Sequence, residues 1–219
     1  MQKICVISSS RADYGIMSNL ISKIQKKKIF KLNLIVTGSH LLKKHGFTSN
    51  EIIKDKIKIN HKIKLSKTDY SKNISYLVEK FSKILKKIKP DIIILLGDRY
   101  EIFAAALSAY LNKIPIGHLH GGEVTRGSMD DGFRHSITKF SYLHFVATNN
   151  SYKRVLQLGE SKSNIFNVGS LSLENIKKKI KFLDKSKIEK KYNINLKRKV
   201  AMVVFHPNSL KNSYNNFSD

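Results

Sequence analysis

Ile92, Ile93, Ile94, Leu95 and Leu96 form an unbroken aliphatic run between Pro90-Asp91 and Gly97. The run is too short for a helix, and without polar alternation it offers no side to water. It fits a parallel strand buried on both faces, and such a strand requires helices on both sides of its sheet. Lys3 to Ile7, Leu32 to Val36, Ile114 to Leu119, Leu143 to Ala147 and Ile165 to Val168 are further short apolar runs, each followed by serine, threonine, glycine or histidine. Between them Ile16, Leu20, Ile21 and Ile24 recur at helical spacing. Ser71 to Ile88 keeps the 3.6 period through Ile74, Leu77, Val78, Phe81, Ile84, Leu85 and Ile88. Asn149 to Leu158 reads as a helix stopped by Gly159. The alternation predicts an α/β fold, a Rossmann-like parallel sheet with helices on both faces. A helix is predicted to start near His40, with Gly46 interrupting it, and the alternating Ile57 to Leu65 predicts an edge strand. Leu171 to Tyr192 reads as a lysine-rich, mostly helical connector, and Val200 to Phe205 as a new strand that opens a second α/β unit.

In open α/β sheets, ligands bind at the carboxyl ends of the strands. Two polar clusters fall at such ends: Gly97-Asp98-Arg99-Tyr100-Glu101 and His118-Leu119-His120-Gly121-Gly122-Glu123. Asp130, Asp131, Arg134 and His135 follow in the first turns of a predicted helix. Carboxylates around one crevice divide acid and base roles when their environments push their pKa values apart. A metal site is the rival reading. His118 and His120 are expected to point to opposite sides and so not to share one ion easily. Asp131 and His135 share a helix face, but there is no H-E-x-x-H and no cysteine cluster. A Ser-His-Asp triad has no nucleophile elbow to support it. A purely structural reading has Asp130 and Asp131 capping the helix while Arg134 pairs with Asp130. The two are compatible, because capping holds the side chains that chemistry uses. Ser8 to Gly15 makes a polar turn ahead of a helix and thus an anion site. The chain has no G-x-G-x-x-G and no Walker sequence there, which argues against a dinucleotide-binding fold or a P-loop NTPase.

A net charge of +25 raises nucleic acid or an anionic membrane as partners. Six of the 41 basic residues are arginine (Arg11, Arg99, Arg126, Arg134, Arg154 and Arg198), so the charge is a lysine bias. The lysines thin out from Asp91 to Asn150, where the motifs lie and the net charge is −1. No specific nucleic-acid partner is expected. Against that lysine background, an arginine marks a place for a planar, bidentate donor. For Arg11, Arg99 and Arg134 two readings stand open: pairing with Asp13, Glu101 or Asp130, or contact with a phosphate or a catalytic carboxylate. The lone Cys5 reads as a buried side chain in a reducing compartment. No secretory leader and no run long enough to span a bilayer is visible, so a cytoplasmic protein without a membrane partner is expected.

Taken together, several motifs resemble the hydrolysing UDP-N-acetylglucosamine 2-epimerases of sialic- and related nonulosonic-acid synthesis. They are the two clusters above, Asp130-Asp131-Gly132-Phe133-Arg134-His135-Ser136-Ile137-Thr138-Lys139, Leu156-Gln157-Leu158-Gly159-Glu160 and Phe166-Asn167-Val168-Gly169-Ser170. Ser10-Arg11-Ala12-Asp13-Tyr14 and Phe205-His206-Pro207 match in the right order, so the resemblance runs from Met1 to about Pro207. It implies a glycosyltransferase-B-type fold with the site between two Rossmann-like halves. It also implies loss of UDP from UDP-N-acetylglucosamine through a glycal-like intermediate, with water adding to give N-acetylmannosamine. By motif position Asp98, Asp130 and Asp131 are the acid/base candidates, and Glu123 is a supporting partner. Arg11 belongs near the phosphates, with Asp13, Arg99, Arg134 and His135 as further substrate contacts, and His206 reaches the cleft from the second half. His120 stands where some relatives carry glutamate; imidazole titrates near neutrality and suits proton transfer. The resemblance implies a UDP-sugar ligand, a homo-oligomer (a dimer), and no metal or redox cofactor. Residues 1–175 are then the N-terminal domain, and residues 176–219 a connector and the first strand of an incomplete second domain. On that reading the chain is truncated and its activity impaired. UDP-N,N'-diacetylbacillosamine as substrate, or an inactive nucleotide-sugar-binding fragment, are the alternatives.

Overall fold

A computed structural model of the chain describes residues 1–65, 69–179, 184–197 and 199–204. Its centre is a parallel sheet of β1 (Gln2–Ser8), β2 (Phe30–Val36), β3 (His61–Lys62), β4 (Ile92–Leu96), β5 (Ile116–Leu119), β6 (Leu143–Val146) and β7 (Ile165–Asn167). The strand order is β3-β2-β1-β4-β5-β6-β7. The chain winds outward in one direction from β1 and in the other from β4. The two pair side by side from Ile4↔Ile92 to Val6↔Ile94, and their carboxyl ends part to leave a crevice, as such reversals do.

Strand periodicity sorts the side chains of β1 and β4 into two cores, and a smaller third cluster of Val146, Val155 and Ile165 lies at the β6–β7 edge. Ile4 and Val6 of β1, with Ile94 and Leu96 of β4, pack on one face against Tyr14, Met17, Ile21 and Ile24 of α1 (Arg11–Lys26) and Ile52 of α2 (Ser49–Lys54). Cys5, Ile7, Ile93 and Leu95 face the other way, onto Leu77, Phe81 and Leu85 of α3 (Tyr70–Ile88) and Ala104, Ala105, Ala106 and Ala109 of α4 (Tyr100–Leu111). The alanine face lets α3 approach α4, and the Ser108 hydroxyl donates to the Val78 carbonyl across the gap at 3.0 Å. Cys5 is wholly buried, and burial pushes its thiol pKa up, away from the reactive thiolate. α5 (Met129–Phe140), α6 (Asn149–Gln157), α7 (Leu171–Lys179) and α8 (Lys185–Tyr192) complete the described helices.

Three expectations are corrected. The strand predicted over Ile57 to Leu65 shrinks to His61–Lys62. The Asn60 side-chain oxygen accepts from the Leu34 N–H at 2.9 Å and so takes the place of a ladder bond. Ile57 and Ile63 are each buried, but in different cores, so their spacing reports two packing contacts rather than one pleated face. The helix predicted near His40 is two 3₁₀ turns, Gly38–Leu41 and Lys43–His45; Gly46 at φ +72° ends the second, and α2 begins later. Val200 to Val204 form no strand and are largely exposed, and none of the strand pairings of the described sheet includes them. Phe205 and His206 lie outside the described residues.

Candidate active site

The turn after β1 is built around one carboxylate. Asp13 Oδ1 accepts from the Ser8 hydroxyl (2.8 Å) and the Ser10 and Tyr14 amides (2.9 and 2.6 Å), and Oδ2 accepts from the Ser9 amide and hydroxyl (2.8 and 2.9 Å). Ser10 returns the bond as N-cap of α1, completing a capping box. Behind this turn His40 is wholly buried, with Nε2 2.9 Å from Ser8 Oγ and Nδ1 2.8 Å from Thr48 Oγ1. Burial lowers its pKa, with Asp13 opposing. Asp13 therefore lines the crevice with its oxygens already engaged by the backbone turn. Arg11 points away: its side chain is 74% exposed and lies 3.4 Å from Glu51, not Asp13.

After β4, Gly97 at φ +80° turns the chain and Asp98 follows it into the crevice. Arg99 precedes α4 and is held by two bonds to Glu101, at 3.2 and 3.0 Å, while Glu101 is 1% exposed. Burial works against the Arg99 charge, but Glu101, with Asp13 and Tyr100 adding to it, tips the balance and raises the guanidinium pKa. Of the three local pairings open from the sequence, this is the one that forms as read.

Arg134, on α5, gathers the rest. Its side chain is 6% exposed. Nη2 is paired with Asp98 Oδ2 and donates to Thr125 Oγ1 at 3.0 Å. Nη1 donates to the Glu123 carbonyl at 3.0 Å and to Asp131 Oδ1 at 3.2 Å. The partner read from helical spacing, Asp130, is not among these bonds. The Ser128 hydroxyl that begins α5 accepts from the Asp130 amide, and Asp131 Oδ1 accepts from the Thr125 amide at 2.8 Å. One guanidinium thus bridges carboxylates from β4 and α5 and clamps the loop between β5 and α5. His135 lies beside Asp131 (3.5 Å), outside the crevice lining.

β5 ends at Leu119, and His120 turns out of it at φ +62°. Its Nδ1 lies 2.9 Å from Glu123 Oε1. His118, one strand position before Leu119, is wholly buried on the other side: Nε2 donates to the Gly97 carbonyl at 2.8 Å and Nδ1 sits 3.1 Å from Thr138 Oγ1. Burial depresses its pKa to about 4, so His118 is a neutral strut that fixes Gly97. The two histidines do point apart, but strand alternation is not the cause: residues two apart share a strand face, and it is the left-handed turn at His120, just past the end of β5, that takes the second ring away. The resulting crevice, about 310 Å³, is lined by Ser10, Asp98, His120, Glu123, Asp130 and Arg134, among others. No group of three or more metal-ligating side chains is brought together among the described residues. Sequence reasoning missed Thr125 and the Ser8–His40 contact. Neither carries a signal in a single sequence, since both act through contacts set by loop conformation. The Leu156–Glu160 motif is scaffold: Glu160 Oε1 accepts from Lys139 at 2.5 Å, and Oε2 lies 3.3 Å from buried His144.

The sequence signature described as UDP-N-acetylglucosamine 2-epimerase matches residues 22–219. A Campylobacter jejuni protein named GDP/UDP-N,N'-diacetylbacillosamine 2-epimerase (hydrolyzing) is 40% identical over 95% of this chain and 55% of its own length. Polysialic acid biosynthesis protein P7 of Escherichia coli is 38% identical over 96% of this chain and 54% of its own. The chain spans about half the length of these curated relatives. Among solved structures, the Neisseria meningitidis UDP-GlcNAc 2-epimerase bound to UDP-GlcNAc superposes with a TM-score of 0.75 at 20% identity, over 87% of this chain and 52% of that one. That likeness identifies the fold as a Rossmann-like half of a glycosyltransferase-B-type architecture.

Proposed function

The chain belongs to the UDP-N-acetylglucosamine 2-epimerase family, and from that premise we propose that its crevice carries the acid–base half of a hydrolysing 2-epimerase. UDP-N-acetylglucosamine loses UDP by elimination across C1 and C2. Water then adds to the unsaturated sugar and N-acetylmannosamine is released, for sialic- or related nonulosonic-acid synthesis. The observation that carries this reading is the bridge from Arg134 to Asp98 and Asp131, beside Asp130 and His120, at the carboxyl ends of β4 and β5. The chemistry needs a base for a weakly acidic C–H and a group that handles the incoming water. The crevice offers Asp98 and Asp130 beside one guanidinium, which also holds Asp131 just outside the lining, with an imidazole alongside. Asp98, Asp130 and Asp131 are assigned to the acid–base steps, and Arg134 holds two of them in place. Residues 1–175 form the domain that bears these groups, and residues 176–219 lead into a second domain that completes the nucleotide pocket and brings His206. The protein works as a cytoplasmic homodimer without a metal or redox cofactor.

The test is incubation with UDP-N-acetylglucosamine, following free UDP and N-acetylmannosamine together, for the 219-residue chain alone and with the complementary carboxyl-terminal half of a relative. Equal release of both products supports the reading. UDP-N,N'-diacetylbacillosamine is run in parallel, because the 40%-identical relative bears that sugar in its name. Release of UDP from that substrate alone moves the assignment to it. Binding of either sugar without turnover in both preparations leaves a nucleotide-sugar-binding module. Asp98→Asn is expected to lower turnover at least about a hundredfold, the scale of a lost general acid or base, with the circular dichroism spectrum unchanged.

A further inference from the structure

We propose that Glu123 and His120 act as a pair in which the carboxylate holds the proton on Nδ1 and leaves Nε2 as the base for the sugar C2 proton; this rests on the 2-epimerase reading above. The observations are geometric. His120 is a non-glycine residue in the left-handed region, φ +62°, tethered by its amide to the Phe145 carbonyl at 2.9 Å. That backbone turn places its ring against Glu123, Nδ1 to Oε1 2.9 Å. An ionised carboxylate only accepts, so the proton of the neutral ring belongs on Nδ1. Nε2 is then the lone-pair nitrogen, and it is buried with no hydrogen-bond partner among the described residues. An orphaned buried acceptor is unfavourable, and native structures retain few of them without a use.

Asp98 and Asp131 are less suited to taking the C2 proton itself, and on this proposal the aspartates keep the acid–base steps at the incoming water and the leaving group. Asp98 is tied to Arg134, and Asp131 accepts from both Arg134 and the Thr125 amide. Taking up a proton costs each a charge-assisted bond. Asp13, Asp98, Arg99, Asp130 and Arg134 are the other charged groups lining the crevice; Asp13 is engaged by the β1–α1 turn and Arg99 by Glu101, and His118 lies behind the loop. In the proposed step the C2–H bond breaks and its electron pair becomes the second C1–C2 bond. The C1–O bond breaks with its pair on the departing UDP, and the proton rests on Nε2. The resulting imidazolium is balanced by Glu123, which makes Glu123 a positioning residue and not a catalytic one.

The experiment uses the ¹⁵N-labelled 219-residue chain and long-range correlation of ring protons to ring nitrogens, at a pH where His120 is neutral. The expected result is a protonated Nδ1 and a lone-pair Nε2 in the native chain. Glu123→Ala is expected to move the tautomer ratio toward Nε2–H by about tenfold, the scale of a lost hydrogen bond to a charge. Glu123→Gln serves as a second variant should the alanine form fail to fold. An Nε2–H tautomer in the native chain, or one indifferent to both substitutions, overturns the pairing. UDP-N-acetylglucosamine is then added. If the Gly97, Asp98 and Glu123 amides shift and His120 Nε2 shifts with them, the base assignment is supported; if the amides shift and Nε2 does not, it is overturned. If no crevice amide shifts, the substrate reading fails for this chain while the tautomer result still decides the pair.

Discussion

Arg134 lies inside the protein with its fork divided among Asp98, Asp131, Thr125 and the Glu123 carbonyl. Burial lowers its pKa, yet the charge persists because guanidinium is so strong a base. Arg134→Met leaves two carboxylates facing each other without a counter-charge. It is expected to cost about 2–4 kcal/mol in urea unfolding. Arg134→Lys is expected to recover only part of this, since one ammonium cannot reproduce the fork. His118 yields a pH prediction. Its folded pKa, about 4, lies below the 6.5 of the unfolded chain. The unfolded state therefore binds more protons between those values, and stability falls as pH drops through that window. The loss levels off below about pH 4 and is on the order of 3 kcal/mol. His40 and His144 are also depressed by burial, so the check is a difference: urea midpoints against pH for wild type and His118→Gln, with a shallower acid slope in the variant. Asp98, Asp131 and Arg134 were each legible in the sequence as site candidates. Their partnership was not, because helical spacing allows Arg134 either Asp130 or Asp131 and does not choose between them, while Asp98 lies 36 positions away.

At the scale of elements, the loop from β5 to α5 depends on Gly122. It sits at φ +75°, and a Cβ there would lie 2.4 Å from the Ser151 carbonyl oxygen of α6. Arg154 donates to the Gly122 carbonyl at 3.0 Å, which ties the same loop to α6 from the other side. Gly122→Ala forces both a left-handed alanine and a backbone clash, neither relieved by a side-chain rotation. A loss of at least about 2 kcal/mol in unfolding free energy is expected. The crevice should also loosen, visible as broadened amides from His120 to Glu123. The β1–α1 segment was legible as a polar turn, Ser8 to Gly15, ahead of a helix; the turn is shorter than read, because the helix already begins at Arg11 with Ser10 as its cap. That Asp13 serves the turn itself was not legible, because capping and ligand binding demand the same residue types. β3 was over-read for a related reason: alternating isoleucines mark burial, and whether the backbone pairs depends on the strand alongside.

Over the whole molecule, α7 is fastened to α1. The buried Asn175 amide donates to the Gly15 and Ile16 carbonyls of α1, both at 2.7 Å, and Lys23 meets Glu174 at 2.7 Å. Asn175→Ala is expected to speed hydrogen exchange in α7 by about fivefold to tenfold while leaving β1 and β4 protected. Equal acceleration across the sheet would show that α7 is part of the core rather than a clasp on it. The net charge of +25 is mostly lysine and thins out along Asp91 to Asn150, and weak, salt-sensitive binding to polyanions is its expected trace. By itself the sequence determined the alternation of strands and helices, the parallel sheet and the family, because these follow from local period, turn residues and motif order. Only the tertiary structure decided which charges meet. The pairing of Arg134 with Asp98, the tether of His120 to Glu123 and the engagement of Asp13 depend on strand order and on left-handed turns at the strand ends. Those are long-range and backbone facts that residue spacing does not encode.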